Sequence, residues 1–166
     1  MNRISLAAAI DGMRFRCRLR DLDFFDPATT VERVGRIAAA IERLGSGRFV
    51  MGMGPYCSEV IRVGAHAIRL GRHAGPLEQP HEEVVDYSIN DASLHGPREV
   101  SRLHCTLDPA GCADDELNLI DEASSTGTWI HPVLEQVLPH TPHRLSNGTM
   151  FSLGPSGTNT FLFIVV

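Results

Sequence analysis

The sequence predicts a mainly β fold, with a β-sandwich over residues 47–166 and an N-terminal strand/helix extension over residues 1–46. From Phe49 onward, short apolar runs recur roughly every ten residues, and Gly, Pro, Asn and Asp lie between them, as in antiparallel sandwiches. No second helical period interrupts this pattern. The Gly-Ser-Gly stretch at residues 45–47 is the natural boundary between the two parts.

The extension carries two patterns of its own. Apolar and Arg side chains alternate over residues 13–19, which predicts a strand with a basic face. Thr29 and Glu32 stand at capping-box spacing, and apolar residues then recur at intervals of three and four until Gly45. We therefore expect one amphipathic helix over about residues 29–44.

Nine apolar runs predict the strands of the sandwich: FVMGM, EVIRV, AIRL, VVDYSI, CTL, ELNLI, GTWI, TMFSL and TFLFIVV. Residues 73–80 and 91–97 are expected to be loops, because Gly, Pro and polar residues dominate them. The SNGT stretch that starts at Ser146 is a hairpin-turn signal. The Pro-punctuated residues 131–143 predict an excursion between two strands.

Composition excludes several classes of protein. No apolar run approaches 18 residues, so we expect no membrane span, and the short apolar start that meets Asp11 indicates a cytoplasmic protein. The four scattered cysteines are expected to be reduced thiols. Residues 49–166 hold six Arg against fourteen acidic residues, and such an acidic body argues against nucleic acid as a partner.

The stretch REVSRLHCTLDPAG, residues 98–111, raises three chemical interpretations. Ser101 could be a nucleophile with His104 as its base, but the sequence has no G-x-S-x-G elbow and no identifiable third group. His104 and Cys105 could bind a metal, but neighbours on a strand point to opposite faces and no second ligand pair exists. A small hydrolase stays a remote alternative, and we expect no metal and no cofactor.

The third interpretation is a site for an anion. Arg72 follows Gly71 at the end of a predicted strand, and Ser101 and Arg102 begin a later apolar run. Loops from different strands gather at one end of a sandwich, and two guanidinium groups with a hydroxyl there suit a phosphate dianion.

Together these residues resemble a forkhead-associated (FHA) domain. The resemblance covers roughly residues 49–166 and is carried by Gly71-Arg72, Ser101-Arg102-Leu103-His104, Ser124-Ser125-Thr126-Gly127-Thr128 and Leu145-Ser146-Asn147-Gly148-Thr149 with Leu153-Gly154. It implies an eleven-stranded sandwich whose apical loops bind phosphothreonine peptides, and a non-enzymatic adaptor.

The resemblance also implies residue roles. Arg72 and Ser101 would hold the phosphate, Arg102 would contact phosphate or peptide, and Ser125 and Thr126 would face the phosphopeptide. Structural support of the site would come from a second group of residues, namely Gly71, His104, Gly127, Asn147 and Gly148.

The chain departs from the family pattern in two places. Thr126 stands where the family usually has an Asn that bonds the peptide backbone, so the alternative is a scaffold with this fold that needs no phosphate. The stretch from His73 to Pro97 is longer than usual and acidic near Glu82, Glu83 and Asp86, which predicts selectivity against acidic peptides.

Residues 13–44 are similar to a segment of the small sheath subunit of type VI secretion systems. That similarity implies a role in bacterial secretion machinery, where FHA proteins and threonine kinases occur together. The expected partners are thus a threonine-phosphorylated protein, a Ser/Thr kinase and components of a secretion apparatus.

Overall fold

The computed structural model describes residue 42 and residues 45–52, 60–72, 85–89 and 98–166. Within these ranges the chain forms eleven strands: β1 (Arg48–Gly52), β2 (Val60–Val63), β3 (Ile68–Arg72), β4 (Tyr87–Ile89), β5 (Cys105–Asp108), β6 (Glu116–Asp121), β7 (Thr128–His131), β8 (Glu135–Gln136), β9 (His143–Ser146), β10 (Met150–Leu153) and β11 (Thr160–Val165). The predicted mainly β fold is confirmed. The strand predicted over residues 13–19, all of the predicted helix except Glu42, and the loops predicted over 73–80 and 91–97 lie outside the described residues. None of the described residues belongs to a helix long and apolar enough to cross a membrane.

The strands form two sheets. One has six strands in the order β2-β1-β11-β10-β7-β8, and the other has five in the order β4-β3-β5-β6-β9. The apolar core holds side chains from both sheets, and Phe151 stacks on Phe161 with ring centroids 5.4 Å apart. All six residues of β11 are buried, and this strand lies between β1 and β10. Because successive side chains of a strand point to opposite faces, β11 is buried on both faces, which explains the unbroken apolar run at the end of the sequence.

Two strands have no counterpart among the nine apolar runs. Residues 131–143, expected as an excursion, contain β8, and β9 begins at His143. Both residues of β8 are exposed, and Leu145 is the one fully buried residue of β9. Periodicity detects buried apolar side chains, so strands this short and exposed leave too little signal.

The SNGT stretch forms a turn, but the hairpin prediction is wrong. The amide of Thr149 donates to the carbonyl of Ser146 at 2.9 Å, and Gly148 has a φ of 87°. The turn joins β9 in one sheet to β10 in the other, so the flanking strands do not pair with each other. The side-chain oxygen of Asn147 accepts from the amide of Val165 at 3.1 Å, which ties the turn to β11.

Strand registers define the two ends of the sandwich. Leu70 pairs with Cys105, and Cys105 pairs with Asp121, so β3 and β6 end where β5 begins. Thr128 pairs with Leu153 in the other sheet. We call this end, where the loops before β5 and after β6 meet, the apical end; the turn between β9 and β10 lies at the opposite end.

Candidate functional site

A cleft of about 560 Å³ opens at the apical end. Three arginines, two serines and three apolar residues line it: Arg72, Arg98, Val100, Ser101, Arg102, Leu103, Ala123 and Ser125. Among the residues that the structure describes, no carboxylate lines the cleft. Guanidinium groups bind oxyanions through planar, charge-assisted hydrogen bonds, so this lining suits an anionic ligand.

Backbone contacts bring Arg72 against Ser101. The amide of Arg72 donates to the carbonyl of Ser101 at 3.0 Å, and the amide of His104 donates to the carbonyl of Leu70 at 2.9 Å. A Cβ on Gly71 would lie 1.9 Å from the carbonyl oxygen of Arg102. The glycine is therefore required for this close approach, which sets Arg72 beside Ser101.

His104 connects the two sheets beneath the cleft. Its ring is fully buried, and Nδ1 accepts from the amide of Ser101 at 3.1 Å. Nε2 lies 3.2 Å from the carbonyl oxygen of Gly127. An amide only donates and a carbonyl only accepts, so both bonds form when the imidazole is neutral with its proton on Nε2. The imidazole thus fixes the backbone of Ser101 to the start of β7.

The hydroxyl of Ser101 has a different partner. It accepts from the amide of Ser125 at 3.0 Å and lies 3.3 Å from the hydroxyl of Ser125. The hydrolase alternative requires a hydrogen bond between the nucleophile and its base, whereas His104 contacts the amide of Ser101 instead. In the part of the chain that the structure describes, no three His, Cys, Asp or Glu side chains form a metal-binding group.

Asp121 shapes the loop that presents Ser125, a role that the sequence analysis missed. This buried carboxylate accepts from the amide of Ser124 at 2.9 Å, from the hydroxyl of Ser124 at 2.7 Å and from the hydroxyl of Thr128 at 2.6 Å. The hydroxyl of Ser124 in turn accepts from the amide of Gly127 at 3.0 Å. An Asp three residues before a Ser is a known local bonding pattern, and that spacing could have revealed the role.

Thr126 lies beside the cleft and is not among its lining residues. Its hydroxyl donates to the carbonyl of Glu99 at 2.6 Å, and its own carbonyl accepts from the indole N–H of Trp129 at 2.9 Å. The carboxylate of Glu99 accepts from the hydroxyl of Ser156 at 2.6 Å. Thr126 therefore joins the loop before β5 to the loop before β7, and its hydroxyl proton is used within the protein.

Arg98 lines the cleft, although no motif in the sequence predicted it. It lies three residues before Ser101 on the same segment, so proximity in sequence to the Ser-Arg-Leu-His motif was an available signal. Ala123, the other lining residue not predicted, is small and carries no chemical signal.

Two expectations about neighbouring residues need correction. Asn147 and Gly148 lie at the end opposite the cleft, next to Val165 and Phe163, so they support the sandwich there and do not contact the site. Asp86 does not present a bare charge to a ligand, because its carboxylate bonds the guanidinium of Arg69 at 3.0 and 3.2 Å.

The contact with Arg69 also lowers the pKa of Asp86 below its usual range, chiefly through the side-chain hydrogen bond. Glu82 and Glu83, the other acidic residues of that expectation, lie outside the described residues.

Comparison with solved structures shows the same fold in several proteins, FHA domains among them. The FHA domain of the CT664 protein from Chlamydia trachomatis is 16% identical with a TM-score of 0.54, covering 73% of this chain and 99% of that one. Full-length yeast Pml1p is 16% identical with a TM-score of 0.55, covering 89% and 98%. The N-terminal FHA domain of S. cerevisiae Rad53p, in complex with a phosphothreonine peptide, is 17% identical with a TM-score of 0.51, covering 72% and 94%.

Sequence comparison gives a match at the level of the family. No curated protein matches the chain. The family model of the FHA domain matches residues 68–154, which run from β3 to just beyond β10 and include the whole cleft lining. Because this match covers just over half of the 166 residues and the fold agrees with it, the chain belongs to the FHA-domain family.

Proposed function

We propose that the cleft binds a phosphothreonine peptide of a protein partner, and that this binding assembles or regulates a bacterial protein complex. The observation that carries the proposal is the convergence of three arginines and two serine hydroxyls in one cleft, with no carboxylate among the described residues that line it. A phosphothreonine has a charge of about −1.5 to −2 and three strong acceptor oxygens, which match this lining. The phosphothreonine peptide bound to the Rad53p domain supports the proposal by analogy of fold.

Each lining residue has a specific part in the proposal. Arg72 and Ser101 hold the phosphate, because the Arg72–Ser101 backbone bond keeps the end of β3, which carries the guanidinium, against the loop before β5, which carries the hydroxyl. The hydroxyl of Ser101 accepts from the amide of Ser125, and its proton points to the hydroxyl of Ser125 over a long 3.3 Å, so this proton can turn to a phosphate oxygen. Arg102 and Ser125, which also line the cleft, add contacts to phosphate or peptide.

The supporting residues preorganise this arrangement. His104 holds the backbone of Ser101, and Asp121 holds the loop that ends in Gly127. Because these bonds exist before any ligand arrives, little ordering remains to oppose binding.

Fluorescence anisotropy with a degenerate phosphothreonine peptide library tests the proposal, with phosphoserine and unphosphorylated libraries as comparisons. Arg72→Ala should weaken binding by about 2–4 kcal/mol, about 30-fold to several hundred-fold, because a charge-assisted bidentate contact is lost. Arg144→Ala is the matched control, since it removes the same charge from an exposed position on β9. Equal effects of the two substitutions, or none from Arg72→Ala, would show that the cleft is not the anion site.

The second candidate function is a phosphate-independent scaffold with this fold. It is favoured by the internal bond from the Thr126 hydroxyl to the carbonyl of Glu99, which leaves that hydroxyl no proton for a peptide carbonyl. A partner captured equally well with and without phosphorylation, and equally by Arg72→Ala, would support the scaffold and exclude the phosphopeptide function.

The wider biological setting is part of the proposal. A Ser/Thr kinase would generate the ligand in a bacterial cytoplasm, and residues 13–44 would contact components of a secretion apparatus, as their resemblance to a sheath-subunit segment suggests. Deleting residues 1–46 should leave phosphopeptide affinity within about threefold, under 1 kcal/mol, while abolishing that second contact. A larger loss of affinity would mean that the extension contributes to the cleft.

A further inference from the structure

The six-stranded sheet is buried on both of its faces at its centre. Its inner face meets the five-stranded sheet through residues such as Val50 and Phe163, which are paired across β1 and β11. Neighbouring residues point to the outer face, because side chains alternate along a strand. Five apolar residues on that outer face are at most 4% exposed and lie outside the core between the sheets, and we call them the outer cluster: Phe49, Met51, Met150, Leu162 and Ile164.

Strand registers show that the outer cluster is one continuous patch. Phe49 is paired with Ile164, and Leu162 is paired with both Met51 and Met150. Directly opposite residues of antiparallel strands share a face and lie about 5 Å apart. The outer cluster therefore spans β1, β11 and β10, a width of about 10 Å at about 4.8 Å between neighbouring strands.

Burial of the outer cluster requires a layer that covers it. The eleven described strands all belong to the two sheets, and the five-stranded sheet packs against the inner face, so these strands supply no third layer. Arg62 lies 5.9 Å from the ring centroid of Phe49. One exposed arginine on the edge strand β2 cannot cover five side chains on three other strands. Another part of the chain must therefore form the cover.

The order of the strands narrows the choice of segment. Residues 73–84 and 90–97 adjoin β3 and β4, which belong to the other sheet. Residues 53–59 join β1 to β2, and these seven residues, with one Gly and one Pro, are too short to cross three strands as a helix. Residues 1–44 precede β1, which carries part of the outer cluster itself. This N-terminal segment is the best placed to cover it.

The end of the N-terminal segment lies close to the outer cluster. Glu42 is helical, and Gly45 has a φ of 75°, the left-handed conformation that ends many helices. Gly47 and Val166 exchange two backbone hydrogen bonds of 2.9 Å, which fix the chain beside the end of β11. Three residues, 45–47, separate the predicted helix from β1 and span at most about 11 Å. The helix therefore ends within reach of the outer cluster.

The predicted helix also has a suitable size and pattern. A helix over residues 29–44 is about 24 Å long and about 10 Å wide, which matches the width of the outer cluster. At about 100° per residue, one side of it is apolar and the opposite side is basic. The apolar side holds Val31, Val34, Ile37, Ala38 and Ile41, and the basic side holds Arg33, Arg36 and Arg43. Such an amphipathic helix buries its apolar side against another element.

We propose that the apolar side of residues 29–44 packs on the outer cluster and forms a third layer of the domain. The extension is then part of the folded domain and not a free arm. Its apolar side is used within the chain, so any contact of this helix with another protein involves its other side. This assignment is independent of phosphopeptide binding.

Photo-cross-linking of the intact chain tests the proposal. Photo-methionine replaces methionine during expression, and illumination links Met51 and Met150 to the residues that they contact. Peptide mass mapping, with fragmentation to separate Met51 from Met53, should place most links outside the sheet on residues 29–44. Links to residues 53–59 or 73–97 instead would overturn the proposal. A product of doubled mass on a denaturing gel would do so as well, since a second copy would then be the cover.

Substitutions on the two sides of the helix give a second readout. The double variant Ile37→Gln with Ile41→Gln should raise the rate at which hydrogen peroxide oxidises Met51 and Met150 by about tenfold or more, because their cover is loosened. Arg36→Gln, on the basic side, is the matched control and should leave both rates within about twofold.

Labelling of Cys105, which is fully buried between the sheets, reports on the sandwich itself. Faster oxidation of the two methionines while Cys105 stays closed to iodoacetamide would support a separate third layer. Loss of the whole fold in the double variant, but not in Arg36→Gln, would also support the packing of this side on the domain. Unchanged oxidation in the double variant, or equal effects of the two sides, would refute it.

Discussion

Replacing His104 with alanine should lower the free energy of unfolding by about 3–4 kcal/mol and weaken phosphopeptide binding as well. The substitution removes the bond to the amide of Ser101 at 3.1 Å and the bond to the carbonyl of Gly127 at 3.2 Å, each worth about 1 kcal/mol net. That carbonyl keeps a partner, since the amide of Gly154 donates to it at 2.9 Å. Loss of the packed imidazole from a fully buried position adds about 1–2 kcal/mol.

Thermal and urea denaturation followed by circular dichroism measure this effect. For a chain of 166 residues, about 3 kcal/mol corresponds to a decrease in Tm of about 10 °C. Exposed His66 provides the matched control, and His66→Ala should leave Tm within about 2 °C. If the two variants melt alike, His104 does not connect the two sheets and the account of the cleft's support is wrong.

Three further substitutions or measurements examine other contacts. Gly71→Ala should cost more than about 3 kcal/mol of stability, because its Cβ would lie 1.9 Å from a backbone carbonyl, while Gly64→Ala, with no atom within 4 Å, should melt like wild type. Thr126→Val keeps the branched shape but removes the donor to a backbone carbonyl, so urea denaturation should show a loss of about 1 kcal/mol. Burial, followed by the charges of two nearby carboxylates, raises the pKa of the Cys105 thiol well above its usual range. Iodoacetamide at pH 8 should therefore label half-exposed Cys112 in the native protein and leave Cys105 unlabelled. Peptide mass mapping measures this labelling. The pKa of Cys105 is higher in the folded protein than in the unfolded chain. The stability that the protonated thiol contributes is therefore complete below the unfolded pKa of about 8.5 and is lost as pH rises past that value. The urea midpoint should accordingly fall above about pH 9. Native labelling of this thiol, or a midpoint that does not fall, would contradict its burial.

The class of fold could be predicted from the amino-acid sequence alone. Nine strands could be predicted because each buries apolar side chains, and buried positions show in the local pattern of residue types. Strand β11 shows this most clearly, since all of its residues are buried and all but Thr160 belong to one apolar run. Glu135 and Gln136 of β8 face solvent and left no such trace.

The turn after β9 could also be predicted from nearby residues, whereas the pairing of the strands on either side of it could not. Asn147 and Gly148 predict a chain reversal because their backbone conformation is a property of these two residues. Whether the flanking strands pair depends on which sheet each one joins, and that is decided by partners as distant as β6 and β11.

Some residues of the site could likewise be predicted from the sequence, and others could not. Arg72, Ser101 and His104 could be named from short motifs, because their residue types and spacing are visible along the chain. Other contacts depend on how distant loops pack. The hydroxyl of Thr126 donates to the carbonyl of Glu99, 27 residues earlier, and the carboxylate of Glu99 bonds Ser156, 57 residues away, while Arg98 lines the cleft. Such hydrogen bonds form because two loops that are distant in sequence come together in space, and local sequence patterns do not predict which loops do so.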